Sequence, residues 1–169
     1  SGPMQLHTHY PMHQHLCVES AGQMFDAATS LFYNVDVAIM AAAVADYTPE
    51  QVADKKIKRE KTGDMSLNLK PTQDIAACLG EMKERYPGKI LVGFALETNN
   101  EQYNAEDKLK RKNLDFIVLN SLNDKGAGFR CDTNKISIID RSGKKDYPLK
   151  SKAEVAADII DHLVEVMNS

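Results

Sequence analysis

Residues 89–95 read KILVGFA, and residues 114–119 read LDFIVL. Each is a short, nearly unbroken apolar run of strand length, the pattern expected of a strand covered on both faces. Between them, residues 101–113 have helical composition but few apolar anchors, mainly Tyr103 and Leu109. A surface helix with a basic side is expected there. Strand, helix, strand in that order is the unit from which parallel sheets are built. Upstream, residues 35–45 are again almost continuous in small and branched apolar side chains. Their first half reads as another doubly buried strand, ending near Ala41. Ser20 and Gln23 stand at capping-box spacing ahead of Met24, Ala28, Leu31 and Phe32, which marks a first helix. Pro71 and Thr72 open a second, striped by Ile75, Cys78, Leu79 and Met82. Residues 135–140 and 145–149 flank Arg141-Ser142-Gly143-Lys144 and read as an antiparallel hairpin. Ser151 and Glu154 form a second capping box before Val155, Ile159, Ile160, Leu163 and Met167. The expected fold is α/β, Rossmann-like and three-layered, with a mainly parallel sheet and a carboxyl-terminal antiparallel hairpin, in a single domain over residues 1–169.

Composition narrows the function classes. At 169 residues with 43% hydrophobic side chains, the chain can build a real core, so disorder is not expected. No stretch approaches the roughly 20 apolar residues of a membrane span, and a soluble, cytoplasmic protein is expected, with no membrane partner. The three cysteines, Cys17, Cys78 and Cys131, are odd in number and free of CxxC pairs, which argues against a disulfide framework or a structural zinc site. A formal charge of −3 gives no reason to expect nucleic acid as the partner.

Several features fall where ligands bind in open parallel sheets, at the carboxyl ends of the strands. Small residues in AAAVADY, residues 41–47, let a ligand lie against the backbone, and Asp46 is the first charge there. Residues 46–70 are polar, lysine-rich and without either period, and a loop of that length in a compact domain is more often functional than idle. It is expected to act as a flexible flap. Lys55, Lys56, Lys58, Arg59 and Lys61 place five positive charges within it, suited to offsetting a triphosphate, although most charge runs are simply solvated. Lys108 and Lys112, four apart, share a helical face and suit one anion. GFALETNN, residues 93–100, sets Phe94 before a carboxylate, a hydroxyl and two amides. His7, His9, His13 and His15 form a histidine-rich segment, but no cysteine or carboxylate in it completes a metal site, and an incidental loop is the preferred reading. His162 reads as a surface or boundary residue. No Walker loop or GxGxxG is present.

Taken in order, AAAVADY, KIKR at residues 56–59, LNLKPTQDI, VGFALETNN, the KxxxKN of residues 108–113, FIVLN and a late GF segment with Asp132 and Asn134 resemble bacterial phosphopantothenoylcysteine synthetase. This family is commonly the carboxyl-terminal part of a bifunctional coenzyme A biosynthesis flavoprotein. The resemblance spans residues 35–163. It implies a ligase that joins 4'-phosphopantothenate to cysteine using CTP and Mg2+: the carboxylate attacks the α-phosphorus to give an acyl-cytidylate and pyrophosphate, and the cysteine amine displaces CMP. FMN would belong only to the separate phosphopantothenoylcysteine decarboxylase, fused or associated. Carried over residue by residue, the resemblance makes Met40, Ala41 and Ala42 the backbone wall of the nucleotide site and Asp46 a polar contact. Lys56 becomes the catalytic flap lysine on the triphosphate. Gln73, Asp74, Ile75 and Ala76 match the helix-start segment near the nucleotide, Phe94 would lie against base or ribose, and Lys108 and Lys112 would be further contacts. No metal ligand is assigned. Met40 stands where Gly can occur and Gln73 where Pro is frequent, both positions acting through backbone.

Ser1-Gly2-Pro3 resembles the SGP that follows the family's second strand. The expectation is therefore a chain that starts inside the family's domain, without its glycine-rich strand-turn-helix and catalytic asparagine, and with little ligase activity by itself. A homodimer is expected by analogy. The competing readings are a non-catalytic nucleotide-binding module and, further down, a nucleic-acid-binding domain, whose affinity would fall steeply with salt.

Overall fold

The computed structural model describes residues 14–53, 55–57, 65–121 and 132–169. In chain order the elements are α1 (Ala21–Phe32), β1 (Val37–Met40), β2 (Tyr47–Pro49), β3 (Leu69–Pro71), α2 (Ile75–Lys83), β4 (Ile90–Glu97), α3 (Glu101–Arg111), β5 (Phe116–Ser121), β6 (Thr133–Asn134), β7 (Ile136–Asp140), β8 (Lys144–Asp146), β9 (Lys150–Ser151) and α4 (Lys152–Met167). Two compact units result, one holding residues up to Ala28 with Ala42–Asp74, the other holding Thr29–Ala41 with Ile75–Ser169.

The larger unit is built on a mixed sheet of order β1-β4-β5-β7-β8. β1 and β5 run parallel to β4, whereas β7 and β8 add antiparallel, so the expected α/β architecture with a late hairpin is the one found. β4 and β5 sit at its centre because their sequences can be buried on both faces. Ile90, Val92, Phe116, Val118, Ile136 and Ile138 point to one side and pack with Val155, Ile159 and Leu163 of α4. Leu91, Ala95, Ile117, Leu119 and Ile139 point to the other, where α2 and α3 bring Leu79, Ala105 and Leu109, all buried. Fully burying side chains of this size stabilises the fold by roughly 1.5–3 kcal/mol each relative to exposure.

Both capping boxes form. At α1 the Ser20 hydroxyl accepts from Gln23 N–H at 3.2 Å and the Gln23 amide oxygen accepts from Ser20 N–H at 3.2 Å. At α4 Ser151 and Glu154 exchange the same pair. Gly80 and Gly93 are set by close approach: a Cβ on Gly80 would lie 2.1 Å from the Lys112 carbonyl oxygen, and one on Gly93 would lie 2.5 Å from Leu114 Cδ1.

Other elements depart from the sequence expectation. β1 is an edge strand with β4 as its only partner among the described residues, and Ile39 is 40% exposed, so this strand is not buried on both faces. Pro71 does not open α2; it pairs with Tyr47 in a two-stranded ribbon, β2 with β3, and the helix starts at Ile75. Proline is tolerated there because each strand of such a ribbon leaves one edge unpaired. Tyr103 is 72% exposed and does not anchor α3, since the buried face runs through Ala105 and Leu109, four apart. Ile160 and Met167 are exposed, outside the buried stripe of α4. His162 is buried rather than at the surface: its ring meets Phe116 edge-on at 4.8 Å, and Nε2 lies 3.1 Å from Asp140 Oδ2, an ion-pair distance without hydrogen-bond alignment.

The Gly80 contact yields a direct test. Gly80→Ala forces a methyl into the Lys112 carbonyl, backbone against backbone, and is expected to cost about 1–3 kcal/mol as overpacking does. Urea unfolding measures it; a loss under about 0.5 kcal/mol contradicts the packing described.

Candidate functional site

The smaller unit joins two motifs that are distant in sequence. β2 pairs with β3 so that Tyr47 stands opposite Pro71 and Pro49 opposite Leu69. Thr72 then fastens the junction: its hydroxyl donates to Ala45 O at 2.7 Å and its N–H to Asp46 O at 2.9 Å. Ala45 and Asp46 are thereby held beside the segment that carries Gln73 and Asp74, and Ala42, Asp46, Gln73 and Asp74 are all exposed. Lys55 and Lys56 are exposed in the connection between β2 and β3. Lys58, Arg59 and Lys61 lie outside the described residues, as do His7, His9 and His13 and Cys131. In sequence Thr72 reads only as a helix opener, because its partners lie in a distant motif.

In the larger unit, Met40 ends β1 opposite Gly93, with Ala41 exposed just beyond. Ile75 is buried and Ala76 half-buried in the first turn of α2. Phe94 is half-buried and packs against the α4-side cluster, on the face of β4 opposite to Gly93. Its ring therefore serves the core as well as any ligand role.

The most organised polar group lies where β4 ends. The Glu97 carboxylate, 13% exposed, forms an ion pair with Lys108 at 2.5 Å and accepts from Asn104 Nδ2 at 3.1 Å. Asn104 donates also to Asn99 O at 3.0 Å. Asn104 and Lys108 are four apart on α3 and so share the face turned to the strand end. Burial alone would raise the Glu97 pKa, but the hydrogen bonds from Lys108 and Asn104, with the Lys108 charge, outweigh it and hold the group below its ordinary value. Asn100 takes the left-handed conformation, φ 46°, that lets the chain turn from β4 into α3. The polar run after Phe94 is thus largely a helix entry.

Lys112 caps the other end of α3 through its N–H to Lys108 O. Asn113, φ 49°, follows it and donates through Nδ2 to Gly80 O at 3.1 Å. The two lysines expected to share a helical face therefore differ in setting: one is held by a strand-end carboxylate, the other sits at the helix terminus. Sequence reading named Glu97 but missed Asn104, although an amide one turn before a lysine is a helix-face pattern. A cleft of about 680 Å³ opens nearby, lined by Thr98, Asn99, Asn100, Gln102, Lys135 and Ser137 among others; Phe94 and Lys108 do not line it. Among the described residues no group of three His, Cys, Asp or Glu side chains is placed to hold a metal ion.

Comparison with known proteins gives the family and agrees with the fold. The family described as DNA/pantothenate metabolism flavoprotein, C-terminal domain, matches residues 1–167. A protein named cysteine/cysteine sulfinic acid decarboxylase, from an unidentified prokaryote, is 56% identical over 152 residues, 89% of this chain and 42% of that protein. The coenzyme A biosynthesis bifunctional protein CoaBC of Bacillus subtilis is 42% identical over 164 residues, 96% of this chain and 39% of that one. The chain thus spans about two fifths of the length of these curated relatives. A crystal structure of the C-terminal domain of a CoaBC superposes with a TM-score of 0.76 at 34% identity, covering 99% of this chain and 72% of that one.

Carboxylates held below their ordinary pKa make stability depend on pH. Asp140 joins Glu97 here: its burial is outweighed by hydrogen bonds from Ser142 and Gly143 and by the nearby His162. In the unfolded chain both groups take up protons at ordinary values, so as the pH falls below about 4 the unfolded state holds more protons and stability drops. Urea unfolding midpoints are expected to be flat from about pH 6 to 5 and to fall toward about pH 3, less steeply in Glu97→Gln. An unchanged slope in that variant contradicts the assignment.

Proposed function

The chain belongs to the DNA/pantothenate metabolism flavoprotein C-terminal domain family, and from that premise we propose that it is the synthetase part of a coenzyme A biosynthesis protein, a ligase joining 4'-phosphopantothenate to cysteine at the expense of CTP. The observation that carries this reading is the clasp of Thr72 on Ala45 and Asp46, which brings AAAVADY and KPTQD, two motifs of the synthetase pattern, to one exposed place. The curated relatives named CoaBC support the pathway, and the nucleotide is assigned as CTP on the resemblance of the motifs.

By the resemblance of the motifs, Met40, Ala41, Ala42, Asp46, Gln73, Asp74, Ile75, Ala76, Phe94, Lys108 and Lys112 are the nucleotide contacts in this reading, and Lys56 engages the triphosphate. The chemistry asks for little covalent help from the protein. It asks that phosphate charge be offset and that two substrates be aligned, which lysines on a connecting segment and on a helix suit. A Mg2+ ion would supply Lewis-acid stabilisation of the phosphates. Such an ion is usually held by substrate phosphates plus one or two carboxylates, and Asp46, exposed in the smaller unit, would supply one without a closed protein cage. Homodimerisation and fusion to, or association with, a decarboxylase complete the proposal.

The test is pyrophosphate release by the native protein that carries this chain. Sustained release is expected only when CTP, phosphopantothenate and cysteine are all present, with no more than about one equivalent per site when cysteine is withheld, and Lys56→Ala is expected to lower kcat about 10²–10³-fold, as loss of one charge-stabilising group does. Release with phosphopantothenate absent, or nucleic-acid binding that falls steeply with salt in place of turnover, refutes the reading.

A further inference from the structure

The Glu97 carboxylate has two oxygens with two different duties. One meets the Lys108 ammonium and the other accepts from Asn104, whose amide is itself tied to the Asn99 carbonyl. The carboxylate is therefore fixed from behind and has little freedom to swing away. Lys108, in contrast, keeps about a third of its side chain accessible. An ammonium has three N–H donors. One is directed at Glu97, and among the described residues no second partner takes the other two, which suit an anion.

Glu97 is also the last residue of β4, in register with Ser121 of β5. This is the carboxyl edge of the parallel strands, where ligands of such sheets are met. A lysine has a long flexible stem, and holding it in one direction before a ligand arrives reduces the ordering still to be done on binding. We infer that Glu97 is a positioning residue: resting on the ligase reading, it aims the Lys108 ammonium at the nucleotide phosphates, with Asn104 as the brace that keeps the carboxylate in place. Its own contact is with Lys108 and not with the nucleotide. The depressed pKa of Glu97 agrees with this role, because the carboxylate stays ionised at neutral pH.

Steady-state kinetics of the native protein carrying this chain test the inference, with CTP and cysteine varied in turn. Glu97→Gln is expected to raise KM for CTP about tenfold while kcat and KM for cysteine change less than about twofold, and the same substitution in a Lys108→Ala background is expected to add nothing further. Asn104→Ala is expected to raise KM for CTP in the same selective way but less, which keeps the test open if Glu97→Gln folds poorly. An unchanged or lowered KM for CTP in Glu97→Gln overturns the inference, since the carboxylate would then be idle or a competitor of the phosphates. Effects of Glu97→Gln and Lys108→Ala that add also overturn it, because a merely structural loss is indifferent to Lys108. A wild-type protein without CTP turnover is a different outcome, and it sinks the ligase reading on which the inference rests.

Discussion

One carboxylate oxygen, Asp115 Oδ2, gathers the larger unit. It accepts from Leu91 N–H at 2.7 Å and from the Lys83 ammonium at 2.7 Å, while Asp115 N–H donates back to Leu91 O at 2.9 Å. Backbone pairing of β4 with β5 begins one residue later, at Val92 and Phe116. The side chain therefore extends the ladder by one step, and does so where Leu91 is fully buried. Without it a buried N–H would lack a partner, at a cost of roughly 1–3 kcal/mol. Lys83 belongs to α2 and donates also to Asn113 O at 3.0 Å, and Asn113 donates to Gly80 O at 3.1 Å. The register of the central strands, the docking of α2 and the end of α3 thus share one polar junction.

In the proposed ligase reading, that junction bears on function through α3. At its carboxyl end the helix is seated against Gly80, close enough that no side chain fits between. Near its amino end it is tied through Asn104 to Glu97 and Asn99 O, and from its last turn Lys108 reaches back to the same Glu97 carboxylate. A helix held at both ends presents its lysines from a rigid base, and rigid presentation is what a charge-offsetting site requires. Hairpin closure at Asp140, with His162 behind it, secures the far edge of the same sheet.

The central strands were legible in sequence because KILVGFA and LDFIVL can satisfy only a doubly buried place. The capping boxes at Ser20 and Ser151 were legible for a local reason, since each is closed by residues three apart. Tyr103 misled because size suggested an anchor, whereas the tight approach of α3 to the sheet selects Ala105. His162 misled because its burial depends on Asp140, 22 positions away in the numbering, and no local pattern reports such a partner. Likewise Pro71 followed β-pairing with Tyr47 in preference to its own helix-start propensity. Of the site, the residue types of Lys108, Glu97 and Asp46 were legible. The Thr72 clasp was not, because it joins segments distant in sequence, and of the Asn104 brace only the shared helix face with Lys108 was legible, its carboxylate partner on β4 being set by the fold.

The Leu91 amide reports the central junction most directly. Hydrogen exchange followed residue by residue should place it among the best protected amides of the wild-type chain. In Asp115→Ala its protection should fall by a factor of about ten or more, together with that of Asn113 and Leu114, while the amides of α4 keep theirs. Leu91 protection that survives the substitution unchanged would contradict the account, for the buried N–H would then be satisfied by something other than Asp115.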